Sequence, residues 1–212
     1  MISIADDVKE LGVFIAWRVL QGVKVFKSDE RVARIVKEAI EKVKSPLTIE
    51  GLKDHPVVRA YRDFYWRLGI DPTKTRPSSE ALVRRALRSG GIPLINNVVD
   101  MGNVASMLTL IPIGIYDLGK VNPPIMLRRA QRGEVFHPIG GGVEELSEND
   151  IVLVDSAQKV MHVFPHRDST LTMVDENTKD ILIVGCGVKG VSEERVREAV
   201  DLASTLILRS MA

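Results

Sequence analysis

The feature that most constrains the fold is a change of hydrophobic period at Pro112. Before it, apolar residues recur at helical spacing. After it, from Ile113 to Val188, short apolar runs alternate with turn signals: Asn122-Pro123-Pro124, Arg132-Gly133-Glu134, Gly140-Gly141-Gly142 and Glu148-Asn149-Asp150. Periods of 3.6 and 2 distribute side chains differently, so the two halves call for different elements. Helices grouped ahead of strands, then one closing helix, predict an α+β fold rather than a doubly wound α/β one. One domain over residues 1–212 is expected, with about 1–60 read as an N-terminal extension.

Local signals fill in that outline. Val13 to Leu20 is rich in β-branched and aromatic residues and reads as a well-buried strand. Ser28 is the expected cap of a helix running to about Val43, with Asp29 and Glu30 in its first turn. Asp54 opens a second helix whose apolar face is Val57, Tyr61, Phe64, Tyr65 and Leu68, stopped by Gly69. Ser78 starts a third that ends at Gly90-Gly91, and a fourth spans about Asn97 to Leu110, with Asn97 a candidate cap. Strands are expected near 113–117, 125–130, 151–155, 159–164, 170–174 and 181–185. Ser192 caps a final helix with Val196, Ala199, Val200, Ala203, Leu206 and Ile207 inward.

Composition removes several function classes. The formal net charge is +1, so no whole-molecule field drives nucleic-acid binding; such contact requires local Arg and Lys clusters. The single Cys186 rules out an internal disulfide framework, and with no activating group beside it in sequence it reads as a small buried hydrophobe. His55, His137, His162 and His166 lack ligand spacing, so neither a metal nor a cofactor is expected. No apolar run is long enough for a bilayer, and the start lacks a signal-peptide pattern, so a cytoplasmic location without membrane contact is expected.

Candidate chemistry concentrates between Arg76 and Asp117, and again at residues 166–169. At 100° per residue Asn96, Asp100, Asn103 and Met107 form one stripe on a helix otherwise nearly all apolar. Buried polar groups need partners, so the stripe either ties neighbouring loops or faces a site. Arg84, Arg85 and Arg88 line one side of their helix, and Arg128, Arg129 and Arg132 form a second cluster. Each is either a solvated face or a set of phosphate contacts. Gly140-Gly141-Gly142 lacks the features of a P-loop; it is a plain turn or a close approach of backbone to ligand. In an extended chain His166 and Asp168 share one face, and Arg167 and Ser169 the other.

Taken in order, these residues resemble a known family. Asn96-Asn97-Val98-Val99-Asp100-x-x-Asn103, Pro112-x-x-x-Tyr116-Asp117-Leu118, Gly133-Glu134 and the glycine loop are similar to the B3/B4 domain. That is the editing domain of the β subunit of phenylalanyl-tRNA synthetase. Arg76-Pro77-Ser78-Ser79-Glu80 and Arg167-Asp168-Ser169 resemble free-standing members. The resemblance runs from about Tyr61 to the final helix. It implies a β-sandwich-like mixed-sheet core with flanking helices. It also implies hydrolysis, in trans, of amino acids wrongly esterified to tRNA, with preference for a hydroxyl-bearing amino acid. The expected partner is the acceptor end of aminoacyl-tRNA, with no DNA.

The resemblance also distributes roles. Asn103, Glu80 and Asp168 are the candidate catalytic residues. Arg76, Ser79, Asn97, Gly114, Tyr116, Gly140, Gly141, Arg167 and Ser169 are candidates for substrate binding. Arg84, Arg85, Arg88, Arg128 and Arg129 are candidates for RNA binding. Two positions depart from the synthetase pattern. Gly114 stands where Pro-x-His-Ala-Phe-Asp has histidine, and Arg167 where Gly-Gly-Glu-Asp-Ser has glutamate. Two other readings stay open: a tRNA-binding module without catalysis, and an enzyme on a small amino-acid-like substrate.

Overall fold

The computed structural model describes residues 2–212. The chain begins β1 (Ile2–Ile4), α1 (Asp6–Lys9), β2 (Phe14–Leu20), α2 (Glu30–Lys44), α3 (Pro56–Arg67), α4 (Ser78–Ser89) and α5 (Asn97–Thr109). It continues β3 (Ile113–Asp117), β4 (Ile125–Arg129), β5 (Val135–Phe136), β6 (Glu144–Glu145), β7 (Ile151–Val154), β8 (Val160–Phe164) and β9 (Arg167–Asp168). It closes with β10 (Ile181–Gly187) and α6 (Glu193–Met211). This is an α+β fold of helices and mixed sheets; the longer helices but one precede Pro112, while β1 and β2 also precede it and pair with strands beyond it.

The strands form a five-stranded sheet in the order β1-β4-β7-β8-β9, a three-stranded sheet β2-β10-β3, and the β5-β6 pair. Among the described residues, only β1 runs parallel to its neighbour, β4; the other pairings are antiparallel. The two larger sheets meet where Tyr116 of β3 approaches His162 of β8 edge-on, with ring centroids 6.3 Å apart.

Helix α5 is the pivot. It touches α2, α4, α6 and β3, which explains why its sequence is apolar on nearly every side. Val98, Met101, Val104, Ala105 and Met107 are all buried. Gly102 lets β3 come close: a Cβ there would lie 2.4 Å from Ile115 Cδ1. On α3, the predicted face of Val57, Tyr61, Phe64, Tyr65 and Leu68 is buried throughout. Burying each such side chain stabilises by about 1.5–3 kcal/mol relative to exposure.

Several local expectations are corrected. The cap of α2 is Asp29, whose carboxylate accepts from the Val32 N–H, while Ser28 reaches across to Asp100. His55, not Asp54, caps α3, and Asn96, not Asn97, caps α5 by accepting from the Val99 N–H at 2.8 Å. Strand β2 is an edge strand, and Trp17 is 44% exposed rather than well buried. Residues Thr170–Thr172 form a 3₁₀ turn, not a strand, because Ser169 caps them from its own side chain. Strands β1, β5 and β6, of two or three residues, are too short to leave a period.

Candidate functional site

A cavity of about 110 Å³ opens between α5, β3 and the segment that follows β9. Helix α5 supplies Val99, Gly102 and Asn103, and β3 supplies Ile113 and Ile115. Ile95, Ile139, Met173 and Val174 close the sides. Among these lining residues Asn103 and Asp168 are the only polar ones. Few polar groups in an otherwise apolar concavity is the usual composition of a ligand site. The mouth is apolar too: Ile95 is 52% exposed, Ile139 53% and Met173 40%.

Asp168 is held from behind. His162 Nδ1 lies 2.7 Å from Asp168 Oδ1, and His162 Nε2 lies 3.7 Å from Cys186 Sγ. Burial pushes the Cys186 thiol well above its ordinary range, so the sulfur keeps its proton. Facing a carboxylate at 2.7 Å, His162 Nδ1 is the ring nitrogen that donates to Asp168. The order Cys-His-Asp looks like a nucleophilic relay, but its thiol is buried and protonated. The relay instead orients Asp168. Sequence reasoning missed His162 and placed no activating group near Cys186. The available signal was a histidine in an apolar strand, because a buried imidazole requires partners.

Gly114 faces the same network rather than the cavity. A Cβ at position 114 would lie 2.0 Å from the Tyr116 hydroxyl and 3.0 Å from Asp168 Oδ1. The buried Tyr116 hydroxyl makes no well-formed hydrogen bond among the described residues, although it lies within reach of the Asp168 carboxylate. Burial, and then the Asp168 charge, push the phenol far above its usual range. The phenol thus occupies the space that a side chain at 114 would need.

The rest of the candidate stretch divides between structural anchoring and a cationic cleft. Glu80 is fully buried, gripped by Arg62 through Nε at 3.0 Å and Nη2 at 2.9 Å. Arg84 stands 3.7 Å away and Arg76 3.9 Å. Glu80 is therefore enclosed by guanidinium groups and does not line the cavity. One carboxylate among three arginines leaves positive charge unbalanced. Arg76, Arg84, Arg85 and Arg88 line a separate cleft of about 370 Å³.

Asn97 is buried and fully engaged: it accepts from the Phe26 N–H and donates to the Lys24 carbonyl and the Ser210 hydroxyl. Asp100 accepts from Ser28 and from the Ile95 N–H at 3.0 Å. Burial raises the carboxyl of Asp100 and these bonds pull it back. Of the predicted polar stripe, only Asn103 reaches the cavity wall. Ser79 is buried within α4, and Ser169 caps the turn after β9.

The remaining expected contacts lie elsewhere. Arg167 forms two bonds to Glu144 and stacks over Phe136, 5.6 Å from the ring centroid. Arg128 is locked bidentately to Glu134 at 2.9 and 2.7 Å, and Arg129 pairs with Asp7 at 3.2 Å. Two members of the second arginine cluster are thus engaged within the protein, while Arg132 is exposed. Gly140, Gly141 and Gly142 have φ of 113°, 99° and 91°, which L side chains rarely adopt, yet nothing lies within 4 Å of their Cβ positions. They are exposed at the rim, and their loop is tied to the site by the Ile139 N–H donating to the Asp168 carbonyl at 3.1 Å.

Comparison with known proteins places these features in a family. The family model described as the B3/4 domain matches residues 60–211. The phenylalanine–tRNA ligase beta subunit of Aquifex aeolicus is 34% identical over 105 residues, covering 50% of this chain and 13% of that protein. The same subunit from Carboxydothermus hydrogenoformans is 31% identical over 139 residues, covering 65% of this chain and 17% of that protein. The chain therefore spans less than a fifth of the length of these curated relatives. An N-terminal fragment of the phenylalanyl-tRNA synthetase beta subunit from Pyrococcus horikoshii shares the fold. Its TM-score is 0.55 at 17% identity, over 99% of this chain and 48% of that one.

Proposed function

Because the chain belongs to the B3/4 domain family, we propose that it hydrolyses the ester of mischarged aminoacyl-tRNA, acting in trans. The observation that carries this reading is the pair Asn103 and Asp168, brought from separate segments into the wall of an apolar cavity. The cavity takes the amino-acid side chain. The Asn103 amide donates to the ester carbonyl oxygen and stabilises the oxyanion. Asp168, oriented by His162, positions a water and accepts its proton. The water oxygen bonds to the acyl carbon, the bond to the ribose oxygen breaks, and that oxygen takes up the proton. An aminoacyl ester is already activated, so positioning and electrostatics suffice without a covalent intermediate. The cleft of Arg76, Arg84, Arg85 and Arg88 supplies contacts to the tRNA backbone.

The test is a panel of correctly and wrongly charged tRNAs, scored for release of free amino acid. Release from at least one mischarged tRNA is expected, and Asn103→Ala should lower its rate about 10²–10³-fold, the usual cost of one oxyanion donor. Release from none, or an undiminished rate in Asn103→Ala, defeats the assignment.

A second reading is favoured by the cationic cleft: a tRNA-binding module without hydrolysis. It predicts binding that weakens steeply with salt and no release from any charged tRNA.

A further inference from the structure

Neighbouring residues of an extended chain point to opposite faces. Asp168 of β9 lines the apolar cavity, and Arg167 beside it lines a different pocket. That pocket, of about 240 Å³, lies between the end of α3, β6 and the turn from β8 to β9. We infer that it is a second ligand site, one that takes a primary alkylammonium group. The inference does not rest on the aminoacyl-ester reading above.

The first observation is an orphaned phenol. Tyr65 lines the pocket and is 1% exposed, yet its hydroxyl has no hydrogen-bond partner among the described residues. Asp150 and Arg167, which line the same pocket, are among the charges that act on it. Burial, more than any of these charges, pushes the phenol above its ordinary range. The hydroxyl therefore keeps its proton and can both donate and accept. Buried polar groups ordinarily have partners, so this one marks a place where a ligand or a water completes the bonding.

The second observation is charge. Glu144, Glu145 and Asp150 line the pocket, and Arg167 is the one permanent cation among its lining side chains. Arg167 is taken up by two bonds to Glu144 and by stacking over Phe136, which leaves two lining carboxylates uncompensated. Asp150 accepts from the Ser147 N–H through Oδ2 at 2.8 Å, and its Oδ1 has no bond among the described residues. His166 Nδ1 lies 2.7 Å from the Arg76 carbonyl, so Nδ1 carries a hydrogen and donates it. Burial holds this imidazole below its ordinary pKa, so at neutral pH the ring is uncharged and Nε2 is an acceptor. Asp150, His166 Nε2 and the hydroxyls of Tyr65 and Thr75 thus present acceptors under excess negative charge. An ammonium group answers both, with three donors, a positive charge and no acceptor. Ile70, Leu146, Val163 and Phe164 supply the apolar remainder, which suits a methylene chain behind the charged head.

The test titrates pentylammonium into the full chain at neutral pH and follows the backbone amide NMR shifts, with pentanol as the uncharged counterpart. Saturable shifts centred on Tyr65, Glu145 and Asp150 are expected, with pentanol at least about tenfold weaker. Asp150→Asn should weaken pentylammonium by about tenfold or more, the scale of one bond to a charged group. Tyr65→Phe, which keeps the ring and removes only the unpartnered hydroxyl, should weaken it by about two- to tenfold. A free amine and the lysine side chain of a peptide carry the same head group. Tighter binding of diaminopentane than of an Nα-acetylated lysine amide assigns the site to free amines, and the reverse order assigns it to a lysine side chain. Pentanol binding as tightly as pentylammonium, or unchanged affinity in both variants, overturns the site. So does the absence of saturable shifts at these residues, which would leave water as the partner of the phenol.

Discussion

The contact between Gly114 and Tyr116 makes a quantitative prediction. In Gly114→Ala the new methyl would sit 2.0 Å from the Tyr116 hydroxyl and 2.6 Å from its Cζ. Relieving both requires moving a buried ring, and overpacking of this kind costs about 1–3 kcal/mol. Replacing a strand glycine returns about 0.5–1 kcal/mol, so a net loss of about 1–2 kcal/mol is expected. Tyr116→Phe removes a buried hydroxyl that makes no well-formed hydrogen bond, its nearest acceptor being the Asp168 carboxylate. An unsatisfied buried group costs about 1–3 kcal/mol, so this variant should be neutral or more stable. In the double variant the 2.0 Å clash is gone while the 2.6 Å one remains. Gly114→Ala should therefore cost less in the Phe background, by about 1 kcal/mol, within the usual range for contacting residues. The assay is urea unfolding of all four proteins at one pH. Additivity within about 0.5 kcal/mol, or a Tyr116→Phe variant destabilised by more than about 1 kcal/mol, refutes the reasoning. The latter would mean that the hydroxyl is hydrogen-bonded after all.

Three further outcomes are expected. Glu80→Ala should lose about 1–3 kcal/mol in urea unfolding, because it removes the one buried carboxylate that three partly buried guanidinium groups surround; a change within about 0.5 kcal/mol would show that Glu80 is not an anchor. Burial, more than the Arg167 charge, holds the His166 pKa below its ordinary value. Its stabilising contribution is then complete above about pH 6.5 and lost as pH falls through the lower folded-state pKa. His166→Gln should flatten the fall in Tm measured between about pH 7.5 and 5. Finally, Arg85→Ala and Arg88→Ala should weaken binding of any tRNA and lower the salt slope by about 1 for each phosphate that the missing guanidinium had neutralised; an unchanged slope would remove the cleft from the RNA interface.

Much of the architecture was legible because long elements repeat their period. The faces of α3, α5 and α6 follow from spacing alone, as does the switch to strands at Pro112. The polar stripe on α5 was visible as a stripe, but its division was not. Asn96 and Asp100 resolve into a cap and a loop tie, Asn97 outside the stripe is an inter-element clasp, and only Asn103 meets the cavity. Those assignments depend on partners such as Ser28 and Ser210, which lie 72 and 113 residues away along the chain. No local pattern encodes a partner at that distance. The same holds for His162 behind Asp168, and for Arg62, which turns Glu80 from a candidate catalytic group into an anchor. The departure at Gly114 was legible as a departure. Its cause, a phenol two residues further along, emerges only when β3 is folded against β8.

The residues ahead of the family match have a consequence for inheritance. The B3/4 model begins at residue 60, yet β1 lies along β4 and β2 lies along the full length of β10. A chain started at the family boundary would bare one edge on each of the two larger sheets, and bare edges invite pairing with other chains. The segment that the family model matches is thus shorter than the segment that closes both sheets.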